Sequence, residues 1–220
     1  MTGRTPRGDN TRQRILAAAT DLFHKQGVVA TSPDEVIEAS ATGKGQFYYH
    51  FKNKEDLVHQ VLLHYLEAVR NETGPIFFRI ESWADLERWF NTPAELQKRF
   101  GMTRGCPLGT IGNEITEDDD QIREDLSLVF EVGQEKIARF FVNEKAGGRL
   151  DPRVREDQLA EFCHAVIQGA MLLGKVRRSS ELVERITREA FAHVKQYARV
   201  AREPTQVATP ATPAQGVPAV

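Results

Sequence analysis

At 220 residues and 40% hydrophobic content, the chain is long and apolar enough for one large globular domain or two small ones. No apolar run approaches the roughly twenty residues that span a bilayer, and the opening MTGRTPRGDN has no hydrophobic stretch of the signal-peptide kind, so an embedded or exported protein is not expected and a cytoplasmic one is. Cys106 and Cys163 fit neither a disulfide framework nor a zinc spacing, which leaves free thiols in a reducing compartment.

From Asn10 to Lys25 the apolar residues Ile15, Ala18, Ala19, Leu22 and Phe23 recur at helical spacing, with Arg12, Arg14, Asp21 and Lys25 on the other faces and Gly27 as a stop. Ser32 reads as an N-cap for a short second helix, with Pro33 at its first position and Asp34 and Glu35 in its first turn. ATGKG then permits a tight turn into a third short helix holding Gln46 to His50. Asn53 caps a fourth helix, on which Leu57, Val61, Leu62, Tyr65 and Val69 keep the period. This helix runs to roughly Glu72, ahead of the Gly74-Pro75 break.

Beyond that break no alternating run supports a sheet, and helices are predicted over 83–100 (with Pro93 as a point of interruption), 107–115, 120–144, 152–175 and 180–202. The fold class is all-α. A basic arm is expected over 1–9, a helix-turn-helix head over 10–56, a helical body over 57–202, and a disordered tail over 203–220, where four prolines and no aromatic leave nothing to bury.

The formal net charge of −2 conceals an uneven distribution: residues 1–54 hold eight Lys/Arg against five Asp/Glu, and the remainder holds twenty-one against twenty-six. Local positive charge is what phosphate neutralisation requires. Two short helices behind a longer packing helix form a helix-turn-helix, whose second helix fits the major groove. Lys44 there and Lys54 at the start of the next helix are placed to neutralise phosphates, Gly45 to let the backbone approach the strand, and Gln46 to pair with adenine. Tyr48, Tyr49 and His50 suit phosphate oxygens or thymine methyls, while Phe47 and Phe51 are read as core anchors.

The run TRQRILAAATDLFHKQG, then TSPDEVIEAS, then GKGQFYYHFKNKEDL resembles the N-terminal domain of the TetR family of transcriptional repressors. Where that family usually has Gly-Val-Ser before the recognition helix, this chain has Ala41-Thr42-Gly43, so Thr42 or Gly43 takes the capping place. The resemblance implies a homodimer that binds a palindromic double-stranded DNA operator, released by a small-molecule inducer or an electrophile, with no membrane partner and no cofactor. It adds Thr31 and Ser32 to the DNA-contacting set Lys44, Gly45, Gln46, Tyr48, Tyr49, His50 and Lys54. It also implies a helical body that binds the inducer and dimerises.

In that body, one long helix carries Leu159, Phe162, Cys163, Val166, Ile167, Ala170 and Leu173, and the next carries Leu182, Ile186, Phe191 and Val194. They are read as a four-helix interface across a two-fold axis, shared with the subunit's own core. The stretch MTRGCPLGTIGNEI puts Cys106 before Pro107 and near Arg104, where a helix N-terminus and a cation would both lower a thiol pKa. Its GCPLG element resembles that of multidrug-type or electrophile-responsive relatives, with Lys175 as a neighbour. Trp89, Phe130 and Phe162 complete the ligand or sensing set with Cys106, Arg104 and Lys175; the aromatics suit a pocket and a core equally well. The acidic run Glu117 to Asp120 is read as a complement to a helix dipole, and no metal site is expected. Two alternatives are a small hydrolase built on Cys106 with His164 and Glu161, and a ligand-independent helical DNA-binding scaffold.

Overall fold

The computed structural model describes residues 6–73 and 79–199. The Gly74-Pro75 break and the tail over 203–220 lie outside these residues. In chain order the helices are α1 (Pro6–Gln26), α2 (Pro33–Ala39), α3 (Lys44–His50), α4 (Lys54–Asn71), α5 (Trp83–Lys98), α6 (Pro107–Gly112), α7 (Asp120–Ala146), α8 (Glu156–Arg177) and α9 (Ser180–Lys195). Among the described residues the fold is all-α, with a single isolated antiparallel bridge between Leu150 and Ala198.

Local chemistry sets most of these boundaries. Ser32 and Glu35 form a reciprocal capping box at the start of α2, and Asn53 accepts from the Asp56 N–H at 2.8 Å to start α4. Pro93 does not interrupt α5; it sits buried inside a continuous helix. α1 begins at Pro6, inside the segment expected to be a basic arm. α8 starts at Glu156 rather than at residue 152, and α9 stops at Lys195 rather than near Arg202. The reason lies in the bridge: the Asp151 N–H donates to the Tyr197 carbonyl at 2.9 Å and the Arg199 N–H to the Arg149 carbonyl at 2.8 Å. Asp151 also pairs with Arg153 at 2.9 Å and Arg199 at 2.8 Å, which draws the chain out of helical geometry at both places.

One apolar cluster joins α1, α2, α3 and the first half of α4 around Ile15, Phe23, Phe47, Phe51, Leu57 and Leu62. It continues into the body through Ile111 and Leu126, so the boundary expected at residue 57 falls within a shared core. A second cluster fills α5, α7, α8 and α9 around Trp89, Phe90, Ile137, Phe141 and Cys163. Between head and body, α4 is pinned to α7 by His59 Nδ1 against the Asp125 carboxylate at 2.5 Å.

Candidate DNA interface and body chamber

The head is built so that α3 exposes one face. Phe47 and Phe51 are fully buried beneath it, as expected. Above them Lys44, Gly45, Gln46, Tyr48 and Tyr49 are exposed, with Tyr49 81% accessible, and His50 is half-buried with its ring edge-on to Tyr49 at 4.9 Å. A large aromatic left this open on a seven-residue helix gains nothing from folding. Lys44 lies 3.4 Å from Asp34 in an exposed pair, and Lys54 Nζ donates to the Val29 carbonyl at 3.3 Å. Exposed pairs of this kind hold roughly 0–1 kcal/mol and yield readily to a phosphate.

Thr31, Gln46 and Arg14 are each engaged within the head itself. Thr31 is buried, its hydroxyl donates to the Gly27 carbonyl at 2.6 Å and its N–H to Val28 at 3.1 Å, so it presents no side chain to a partner. Gly43 is the α3 N-cap and has no side chain to offer, so Gln46 Oε1 accepts from the Gly43 N–H at 3.1 Å. That oxygen must leave the cap before Gln46 can pair with adenine through both amide atoms. Thr42 instead shares a 2.8 Å bond with Ser40. Ser32 is exposed, with its hydroxyl in the capping box. Arg14, counted in the basic segment, clamps the end of α2 by donating to the Ser40 carbonyl at 2.6 and 3.1 Å and to Ala41.

Beneath the head lies a chamber of about 310 Å³, walled by helices of both halves: His24 of α1, Tyr65 of α4, Trp89 of α5, Cys106 and Leu108 at α6, Phe130 of α7 and His164 of α8. Its size is at the lower end of the range for small-molecule sites, roughly 300–1,000 Å³, and its walls are mainly apolar. Trp89 and Phe130 therefore belong to it, whereas Trp83, Phe140 and Phe141 pack into the core. Phe162 does not reach it; that ring is 38% exposed on the far side of α8, against His193 at 5.4 Å.

A network that the sequence reading missed ties this chamber to α1. The Gly105 carbonyl accepts from Gln97 Nε2 at 2.6 Å and from His24 Nε2 at 2.9 Å, while the Gly105 N–H donates to Gln97 Oε1 at 2.9 Å. Arg104 pairs with Asp21 of α1 at 2.5 Å and lies over the Phe100 ring at 4.3 Å. Just past α6, Glu114 accepts from the Val28 and Val29 N–H groups at 2.6 and 3.1 Å, holding the α1–α2 turn. No local sequence signal marks these residues, because each bond spans a large chain separation except the two between Gln97 and Gly105.

The thiol chemistry is the reverse of that expected. Cys106 keeps part of its surface open, yet its sulfur sits in the interior, and burial pushes the thiol pKa up. The Gly109 N–H, the Gln168 side chain and the Leu108 N–H pull the other way and do not prevail. Arg104, engaged with Asp21, is not among the groups acting on it. Burial likewise pushes Cys163 up to about 12. The hydrolase constellation is not assembled either: His164 Nε2 meets Gln168 at 3.3 Å rather than Cys106, and Glu161 is exposed. Burial lowers His164 to about 4, so the ring is neutral at pH 7.

α8 is apolar on two sides, which is why its length and composition alone would allow it to cross a membrane. Leu159, Cys163, Ile167, Ala170 and Gly174 face the subunit core. Phe162, Leu172, Leu173 and Val176 are exposed, with Ala165 and Gly169 between them. The core side takes residues expected at an interface, and Leu182 and Val194 of α9 are buried within the subunit as well.

A helix-turn-helix head with an exposed aromatic and basic second helix, resting on a helical body with an apolar chamber, defines a DNA-binding regulator. Residues 15–61 match the family profile described as bacterial regulatory proteins, tetR family, and residues 84–190 match a tetracyclin repressor-like C-terminal domain. An uncharacterized HTH-type transcriptional regulator in the lacX 3' region of Lactococcus lactis subsp. lactis is 30% identical over 180 residues, covering 80% of this chain and 88% of that one. The HTH-type transcriptional repressor DhaR of Mycobacterium sp. (strain GP1) is 25% identical, covering 86% of this chain and 92% of that one. In three dimensions the regulatory protein TetR from Rhodobacter sphaeroides superposes with a TM-score of 0.74 at 27% identity, covering 83% of this chain and 98% of that one. The chain belongs to the TetR family of bacterial transcriptional regulators.

Proposed function

We propose that this protein is a ligand-responsive repressor: a homodimer that holds a palindromic operator through two copies of α3 and releases it when a small molecule fills the body chamber. One observation carries the reading. His24 and Tyr65, on the first and fourth helices of the head, are themselves walls of the chamber, so an occupant touches the parts that position α3. The DNA-contacting set is Lys44, Gly45, Tyr48, Tyr49, His50 and Lys54, with Ser32 at its edge and Gln46 joining after its cap is released. The exposed α8 stripe supports a second copy as its cover, since apolar side chains at this spacing form the seam of a helical dimer interface.

In the unliganded state the two recognition helices are spaced for successive major grooves. An occupant that presses on α4 and on the loop around Gly105 shifts each head relative to its body. The liganded dimer then no longer matches both half-sites, and release follows from the difference in affinity between the two states. The buried, less acidic Cys106 acts here as a chamber wall rather than as a reactive thiol, so the signal is non-covalent. Repeated selection of DNA from random duplexes tests the reading. Enrichment of a two-fold symmetric sequence supports it; no enrichment, or a sequence without symmetry, removes the dimeric operator from the account.

A further inference from the structure

The chamber has a second, more open compartment beside it; one guanidinium, Arg99, lines the chamber, and two cations line its neighbour. This vestibule, about 580 Å³, shares Cys106, Phe130 and Gln168 with the chamber, so those three side chains form the partition between them. On the vestibule side stand Arg104 and Lys175. The one carboxylate lining it, Glu114, is engaged by the Val28 and Val29 N–H groups.

The two cations are held in different ways. Arg104 is compensated by Asp21 and fixed against Phe100. Lys175 lies along Gly105 so closely that a Cβ there would meet its Cδ at 3.3 Å, and among the described residues its ammonium has no carboxylate partner. An ammonium without a carboxylate partner, on the wall of a compartment that adjoins the apolar chamber, can take an anion that enters from outside. Burial is the main cause of the lowered His24 pKa; the bond to the Gly105 carbonyl opposes it, and Arg104 and, more weakly, Lys175 add to it against Asp21.

We propose that chamber and vestibule together take an amphiphilic carboxylate, with its apolar body against Trp89 and Phe130 and its carboxylate on Lys175 beside Arg104. This inference rests on the ligand-responsive reading and names the ligand class for it. A lipophilic cation would meet Lys175 on the way in. A neutral molecule of the same shape would forgo the charge-assisted hydrogen bond, which is about twice as strong as a neutral one. Lys175 also packs on Gly105, whose carbonyl joins His24 and Gln97, so an anion that draws the ammonium toward itself acts on the bond between chamber and head.

The test uses the full-length protein loaded with Nile red, a neutral dye whose fluorescence reports an apolar site, displaced by octanoate, 1-octanol and octylammonium at pH 7.5. The expected result is that octanoate displaces the dye at a concentration at least about tenfold below the other two. Lys175→Gln should abolish that advantage while leaving 1-octanol unchanged, and Lys175→Arg should retain it, which separates lost charge from lost packing. Equal displacement by octanoate and 1-octanol, a preference for octylammonium, or an octanoate advantage that survives Lys175→Gln would overturn the carboxylate assignment. Failure of Nile red to bind at all would overturn the chamber reading beneath it, a result distinguishable from the others.

Discussion

His24 Nε2 donates a 2.9 Å hydrogen bond to the Gly105 carbonyl, joining the last turn of the head's first helix to the residue that precedes Cys106 in the chamber wall. The same ring stands edge-on to Phe100 at 5.5 Å, so a displacement of this loop is transmitted to α1 through both a polar and an aromatic contact. α4 is thus not the sole link between body and head.

His24→Leu keeps the bulk and removes the bond. It is expected to cost about 1 kcal/mol of stability, the usual net worth of one hydrogen bond. Operator affinity without ligand should stay within about twofold, while ligand-induced release should weaken at least about fivefold, as coupling is lost rather than binding. DNA anisotropy titrations with and without ligand check this; an undiminished response would assign the coupling to α4 alone.

Gly27 is required by two constraints at once. Its φ of +90° disfavours a side chain, and a Cβ would lie 2.0 Å from Glu114 Oε1. Gly27→Ala should therefore lose roughly 1–3 kcal/mol from backbone strain alone, and more once Glu114 is pushed off the Val28 and Val29 N–H groups. Glu114→Gln, which retains one acceptor, should lose less. Urea unfolding of the two variants reads the order directly, and a Gly27→Ala protein as stable as wild type would refute the clamp.

In the head, contact and scaffold roles separate by salt dependence. Lys44→Ala should weaken operator binding and lower the slope of log K against log salt by about one, because one fewer counterion is released. Tyr49→Ala should weaken binding with an unchanged slope and an unchanged melting temperature. Arg14→Ala should instead destabilise the head by about 1–3 kcal/mol through the loss of its bonds to Ser40 and Ala41. If Arg14→Ala lowers the salt slope and leaves stability intact, Arg14 belongs to the DNA surface.

His164 gives the fold a pH signature. The folded ring titrates at about 4 and the unfolded one near 6.5, so the unfolded chain binds the extra proton first as pH falls. Stability from this group is complete above 6.5 and is lost between 6.5 and 4, by about 3 kcal/mol in all. His164→Gln should flatten the pH dependence of urea unfolding in that window relative to wild type; parallel curves would contradict the burial of a neutral ring.

The head was largely legible in the sequence because its signals are local: Ser32 and Glu35 are three residues apart, and Phe47 and Phe51 sit one turn apart beneath Tyr48 and Tyr49. The chamber was legible only in part. Trp89 and Phe130 were named, but the aromatic content of the body serves core and cavity alike, and Phe162 falls on the outer face of α8. Arg104 and Cys106 were expected to interact because they are neighbours in sequence. Folding sends Arg104 to Asp21 on α1 and buries the sulfur, and no pattern in the intervening residues encodes that choice. The end of α9 was missed for the same reason, since the bridge to Arg149 and Asp151 is a tertiary contact.

The central claim is that the chamber and the operator are linked, and filling the chamber by mutation tests it without knowledge of the ligand. Ala68 lines the chamber from α4, and Ala68→Trp would occupy the space with a fixed indole. Anisotropy titration of the selected operator should then show at least about a tenfold loss of affinity, in a variant that remains a folded dimer and no longer takes up Nile red. An Ala68→Trp dimer that excludes the dye yet binds operator as tightly as wild type would contradict the account.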